Sequence, residues 1–155
     1  MKLNITVNKE KKEFNIDPSD TLLDVLRREG YYEVKKGCNT GDCGSCTVLV
    51  DGEPNVSCIK LAGLAEGREI TTVKGIGTHD NPHALQKYFV EEGGVQCGFC
   101  IPGKITSAKA LLDRNPDPSI EDIKEAMDGH LCRCTGYNAQ IRAIKKASRE
   151  IGGDK

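Results

Sequence analysis

Residues 37–46 read Gly37-Cys38-Asn39-Thr40-Gly41-Asp42-Cys43-Gly44-Ser45-Cys46, and Cys58 follows after 11 intervening residues. C-x4-C-x2-C with a distant fourth cysteine is the plant-type arrangement for a [2Fe–2S] cluster. A rigid rhomb of two irons and two sulfides needs four converging thiolates, so one tight loop supplies three and a neighbouring segment the fourth. Glycines at 37, 41 and 44 let the loop curl with its amide N–H groups turned inward, where they offset negative charge on the sulfurs. The alternatives are unrelated free thiols or a zinc knuckle, and zinc usually takes close C-x2-C pairs and not a glycine-laced triplet. Cys38, Cys43, Cys46 and Cys58 are the candidate ligands of a first cluster.

The flanking segments show what holds this loop. Residues 3–7 and 12–16 alternate polar with apolar around Asn8-Lys9-Glu10, which predicts a β-hairpin. From Thr21 to Glu29 the period changes: Leu22, Leu23, Val25 and Leu26 share a helical face, with Pro18-Ser19-Asp20 as the N-terminal signal and Gly30 as the stop. Thr47-Val48-Leu49-Val50 reads as a strand closed by the turn Asp51-Gly52, and a short strand is expected near residues 70–73. Strands around one packed helix predict a small α+β roll of the ubiquitin or ferredoxin kind, a β-grasp. Lys35 and Lys36 are expected at a solvated strand end.

After Gly75-Ile76-Gly77 the texture becomes helical, with helices expected over about 83–92, 102–114, 119–128 and 139–150 and no convincing strand. Pro102 suits a first helical turn, Ser119-Ile120-Glu121-Asp122 resembles a capping box with Asp for Glu, and Asn115-Pro116-Asp117-Pro118 ends what precedes it. The expected division is an α+β domain over residues 1–77 and an all-α four-helix domain over residues 78–155.

The second half holds Cys97 and Cys100 in QCGFC, and Cys132 and Cys134 in LCRCTGY, each pair just before an expected helix. Two helices meeting tip to tip would gather four thiolates at their positive N-termini, where a negative cluster is favoured. Spacing alone leaves this quartet open between a second iron–sulfur cluster and zinc, since four-cysteine zinc sites also use close pairs. His79, His83 and His130 read as surface or packing residues because the eight cysteines already make two complete sets. Arg133 reads equally as a cofactor contact or an ion-pair partner, Tyr88 and Phe89 as core, and Phe99 as a shield or a space filler.

Composition bounds the rest. At 155 residues, with 37% hydrophobic and 29% charged residues and no tryptophan, the chain is globular with a thin core, one that metal–thiolate cross-links would reinforce. Eight cysteines without a secretory leader point to metal or redox chemistry in a reducing, cytoplasmic setting. No apolar run approaches the ~20 residues of a membrane span. A net charge of −1 without basic, aromatic-laced segments argues against nucleic acid.

GCNTGDCGSCTVLVDG with the following Cys58, QCGFCIPG, NPDPSIEDI and GHLCRCTGY together resemble, in this order and at similar separations, the iron–sulfur subunits of the xanthine dehydrogenase family of molybdenum hydroxylases. The resemblance runs from about residue 3 to 148. It implies a plant-ferredoxin-like domain with a [2Fe–2S] cluster on Cys38, Cys43, Cys46 and Cys58, and a helical domain with another on Cys97, Cys100, Cys132 and Cys134. By the same resemblance the helical-domain cluster lies beside the molybdopterin (in some members carrying a cytosine nucleotide) of a large subunit, with Gln96 hydrogen-bonded to the pterin and Cys134 nearest to it. The other cluster faces the FAD of a medium subunit, and the holoenzyme is a dimer of heterotrimers. The implied role is to pass electrons one at a time from molybdenum to FAD and on to NAD or another acceptor while a heterocycle or aldehyde is hydroxylated, purines leading by family frequency. Ile101 and His130 stand where the family often has Thr and Asn; neither is a cluster ligand. The rival reading is a free-standing two-cluster ferredoxin.

Overall fold

The computed structural model describes residues 1–153. Its first unit is a five-stranded sheet in the order β2-β1-β5-β3-β4, built from β1 (Lys2–Val7), β2 (Glu10–Asn15), β3 (Thr47–Val50), β4 (Glu53–Val56) and β5 (Glu69–Thr71). Both hairpins turn in two residues with positive φ, at Asn8 and Lys9 (50° and 72°) and at Asp51 and Gly52 (51° and 84°). Such turns match the twist of the strands they join. β1 and β5 pair in parallel, which closes the roll. Helix α1 (Leu22–Arg28) lays Leu22, Leu23, Val25 and Leu26 on the sheet's apolar face, where they meet Leu3, Ile5, Val48 and Ile70. Burying each such side chain is worth about 1.5–3 kcal/mol. The cap of α1 is Thr21, whose side chain accepts from Asp24 N–H, one residue beyond the signal expected at 18–20. Residues 31–36 form turns, so Lys35 and Lys36 do not end a strand; their ammonium groups donate to Tyr32 O and to Asp24.

The second unit follows a short helix, α2 (Val73–Ile76), and contains α3 (Ala84–Glu91), α4 (Ile101–Arg114), α5 (Ile120–Met127) and α6 (Asn138–Gly152). The expected capping box on α5 is present, with Ser119 accepting from Asp122 N–H and Asp122 from Ser119 N–H. α3 is capped by His83, which accepts from Leu85 N–H. Leu85, Phe89, Ile105, Leu112, Ile123 and Ile144 form the core of this unit. Tyr88 is only half-buried, with Lys87 over its ring.

α4 packs on α2, α3 and α5 and also on β3 and β4 of the first unit, and so it is buried almost all round. Small side chains allow this. A Cβ at Gly103 would lie 2.2 Å from Gly44 O, so only glycine lets the helix touch the Cys38–Cys46 loop. This contact is what brings the two cysteine-bearing regions together.

Candidate metal centres

All eight cysteines are free thiols, gathered in two quartets. In the first, Cys38 Sγ accepts the backbone N–H of Thr40 and of Cys43, both at 3.4 Å. Donation from the Thr40 hydroxyl and from these amides holds the Cys38 thiol down at about 5, a thiolate at neutral pH. Cys46 and Cys58 form the inner pair, 1% and 7% exposed. Burial, then the Cys46 sulfur beside it, pushes Cys58 up to about 11. Gly41 sits under Ile59, and Ser57 Oγ donates to Cys46 O at 2.7 Å, which fixes the segment carrying Cys58 against the loop.

The second quartet repeats the pattern. Cys97 and Cys134 are exposed with their sulfurs 3.6 Å apart, whereas Cys100 and Cys132 lie deeper and in contact with each other. Burial, then Cys132, pushes Cys100 up to about 11. For Cys132 burial is outweighed by donation from the Thr135 hydroxyl and from the Thr135 and Cys134 amides, which brings it down to about 7. Cys100 caps α4 as expected. Cys132 and Cys134, however, precede α6 by several residues, so the helices do not meet tip to tip over the sulfurs. Tyr137 supports that loop by accepting Cys132 N–H on its hydroxyl at 2.9 Å.

The arrangement suits two irons and not one. Tetrahedral zinc would need four sulfurs around one point, but each quartet divides into two close pairs, one outer and one inner. Among the described residues no three His, Cys, Asp or Glu side chains converge to hold a single ion. Inward amides and a low-pKa thiolate are what a negatively charged cluster requires of its surroundings.

Two residues at the second quartet, Gln140 and Lys104, escape a reading by motif. Gln140, 1% exposed in the first turn of α6, points Nε2 at Gly94 O (3.0 Å), Cys132 Sγ (3.7 Å) and Cys100 Sγ (3.8 Å). Lys104 is fully buried, donates to His130 O at 2.8 Å and lies over the Tyr137 ring. Burial pushes its pKa down, and the Cys100 and Cys132 sulfurs beside it oppose this. One signal was available: Lys104 stands four residues after Cys100, on the same helix face. His130 is a packing residue, paired through Nε2 with Ser107 Oγ at 2.7 Å; burial, then the Lys104 charge, pushes it down to about 4. His79 is fully exposed, and Arg133 is exposed at the rim of the second quartet.

Gln96 is exposed beside the outer pair and donates from Nε2 to Cys134 O at 3.1 Å. Phe99, 45% exposed, reaches toward Gly37 in the first loop and so bridges the two centres. Leu131 and Tyr137, on the segment that carries Cys132 and Cys134, are exposed apolar side chains like Phe99.

Comparison with known proteins matches this geometry. A family described as a 2Fe-2S iron-sulfur cluster binding domain covers residues 5–71, and one described as a [2Fe-2S] binding domain covers residues 72–145. The nicotinate dehydrogenase small FeS subunit of Eubacterium barkeri is 48% identical over 94% of this chain and 93% of its own length. The chain belongs to the iron–sulfur subunits of the molybdenum hydroxylases. Quinoline 2-oxidoreductase from Pseudomonas putida 86 contains a chain that superposes with a TM-score of 0.93 at 41% identity, covering 100% of this chain and 98% of that one. The aldehyde oxidoreductase of Desulfovibrio gigas superposes at 0.96 and 43% identity over 100% of this chain, which spans 18% of that longer polypeptide. Such small subunits work beside larger partner subunits, and the two [2Fe–2S]-binding domains give this one an electron-transfer role. No described helix is long and apolar enough to cross a membrane.

Proposed function

We propose that this chain relays electrons, one at a time, from the molybdopterin centre of a large subunit to FAD on a medium subunit and thence to NAD or another acceptor, within a cytoplasmic dimer of heterotrimers. It divides near residue 77 into the two cluster domains. Cys38, Cys43, Cys46 and Cys58 hold one cluster, and Cys97, Cys100, Cys132 and Cys134 the other. When bound, each cluster supplies a one-electron redox centre with iron held by thiolate.

The protein's own part is to hold, space and shield. The outer pair Cys97 and Cys134 is presented at the surface, the face assigned here to the large subunit. Gln96 spends its amide N–H on Cys134 O, which leaves its carbonyl oxygen free to accept from the pterin. The observation that carries the reading is two paired quartets in one chain, joined by the hydrogen bond from Leu131 N–H to Cys43 O at 3.0 Å. Relatives of near-equal length named as small subunits favour the docked subunit over a free-standing carrier. The substrate belongs to the large subunit. Relatives named for nicotinate and quinoline favour a pyridine-type ring over the purine that family frequency implies.

EPR of the dithionite-reduced chain, with iron and sulfide quantified on the same sample, tests this. Two distinct S = 1/2 signals with equal iron and sulfide support it. One signal, or zinc in place of half the iron, overturns it.

A further inference from the structure

In the second quartet Cys100 is buried and Cys132 half-buried, so the inner sulfurs rely on protein donors more than the exposed outer pair does. Thr135 and the Cys134 amide serve Cys132 alone, and Gln140 is the donor that faces both inner sulfurs. Its Nε2 carries two hydrogens: one is committed to Gly94 O at 3.0 Å, and the other faces Cys132 Sγ at 3.7 Å and Cys100 Sγ at 3.8 Å. The amide cannot be reversed, because Oε1 would then oppose a carbonyl oxygen and two sulfurs, all acceptors. Gln140 Oε1 is buried with no hydrogen-bond partner. A fully enclosed amide that leaves one end unsatisfied is held in place by what its other end does.

The backbone is shaped around the same contact. A Cβ at Gly94 would lie 3.2 Å from Gln140 Cγ, so the chain passes close enough for Gly94 O to hold the amide's orientation. The neighbouring cation, Lys104, donates to His130 O and faces the Tyr137 ring, and it makes no hydrogen bond to either sulfur.

We propose that Gln140 is a positioning residue that raises the reduction potential of the second cluster by donating an N–H to the Cys100 and Cys132 sulfurs. A donor to thiolate sulfur stabilises the more negative, reduced state more than the oxidised one, and it acts strongly where water does not screen it. This rests on the assignment of the second quartet to a [2Fe–2S] cluster.

The test is a potentiometric EPR titration of both clusters in the full chain, wild type against Gln140→Leu and Gln140→Met, with iron and sulfide measured on each sample. In fully loaded variants the second cluster's midpoint is expected to fall while the first cluster's stays fixed. An unchanged or raised second midpoint, or an equal shift of both, overturns the proposal. Should neither variant load, a wild-type fold carrying Gln96→Leu and glutamine labelled with 15N in its amide decides. Pulsed EPR then shows a 15N coupling to the second reduced cluster if the proposal holds, and its absence overturns it. A wild-type chain lacking the second signal would instead refute the cluster assignment itself.

Discussion

Leu131 N–H donates to the carbonyl oxygen of Cys43 at 3.0 Å. Cys43 belongs to the first quartet and Leu131 adjoins Cys132 of the second, so one hydrogen bond and one peptide unit connect the two ligand sets. The contact is enforced from below. Gly44 has φ +72°, and a Cβ there would lie 2.6 Å from both Gly129 O and His130 Nδ1. The loops therefore touch backbone to backbone, which fixes the separation of the centres more rigidly than side chains could.

Gly44→Ala should force these loops apart. A left-handed conformation with a side chain costs about 1–2 kcal/mol and overpacking about 1–3 kcal/mol. We expect a loss on the order of 3 kcal/mol in thermal unfolding and a weakened magnetic interaction between the two reduced clusters in EPR. An unchanged interaction would show that the spacing is set elsewhere.

Cys43→Ser should remove the first cluster and leave the second. Half the iron and one EPR signal should disappear. The melting temperature should fall too, because the sheet domain folds with its metal–thiolate cross-links. Full iron content with an unaltered melting temperature would exclude Cys43 as a ligand.

Most of this fold was legible because its signals are local. The helix at 119–128 announces itself by Ser119 and Asp122, and the loop at 37–46 by its spacing. β4 was missed because Glu53-Pro54-Asn55-Val56 shows no apolar alternation and carries a proline, which a strand at the sheet's edge tolerates. α2 is a four-residue turn containing Gly75, too short for periodicity. At the site, cysteine spacing exposed the quartets but not the pairing within them. Gln140 and Lys104 were hidden because a polar residue in a helix reads as solvated until tertiary packing encloses it.

His83 makes one helix start sensitive to pH. Its neutral Nδ1 accepts Leu85 N–H, which the protonated ring cannot do. Burial first, and the Lys109 charge second, hold its pKa below the ordinary 6.5. The folded state thus binds the proton less readily than the unfolded chain, so the cap's contribution is complete above about pH 6.5 and is lost as pH falls through the depressed folded value. A cap is worth about 1 kcal/mol. His83→Asn supplies a cap that does not titrate; the stability difference between wild type and variant should move in the variant's favour by about that amount between pH 7.5 and 5. Chemical denaturation at both pH values checks this, and a constant difference would remove His83 from the account.

Gln96→Leu separates holding a cluster from receiving electrons. The side chain braces Cys134 O from outside and is exposed, so its loss should leave iron, sulfide and both EPR signals intact. On the proposed placement of Gln96 against the pterin, however, the variant in the assembled holoenzyme would present no acceptor to it. Rapid-freeze EPR after mixing with substrate should then show the second cluster reduced several-fold more slowly, while its reduction by dithionite proceeds as in the wild type. Equal rates with substrate would mean that Gln96 only braces the loop and that the electron enters through other contacts with Cys134.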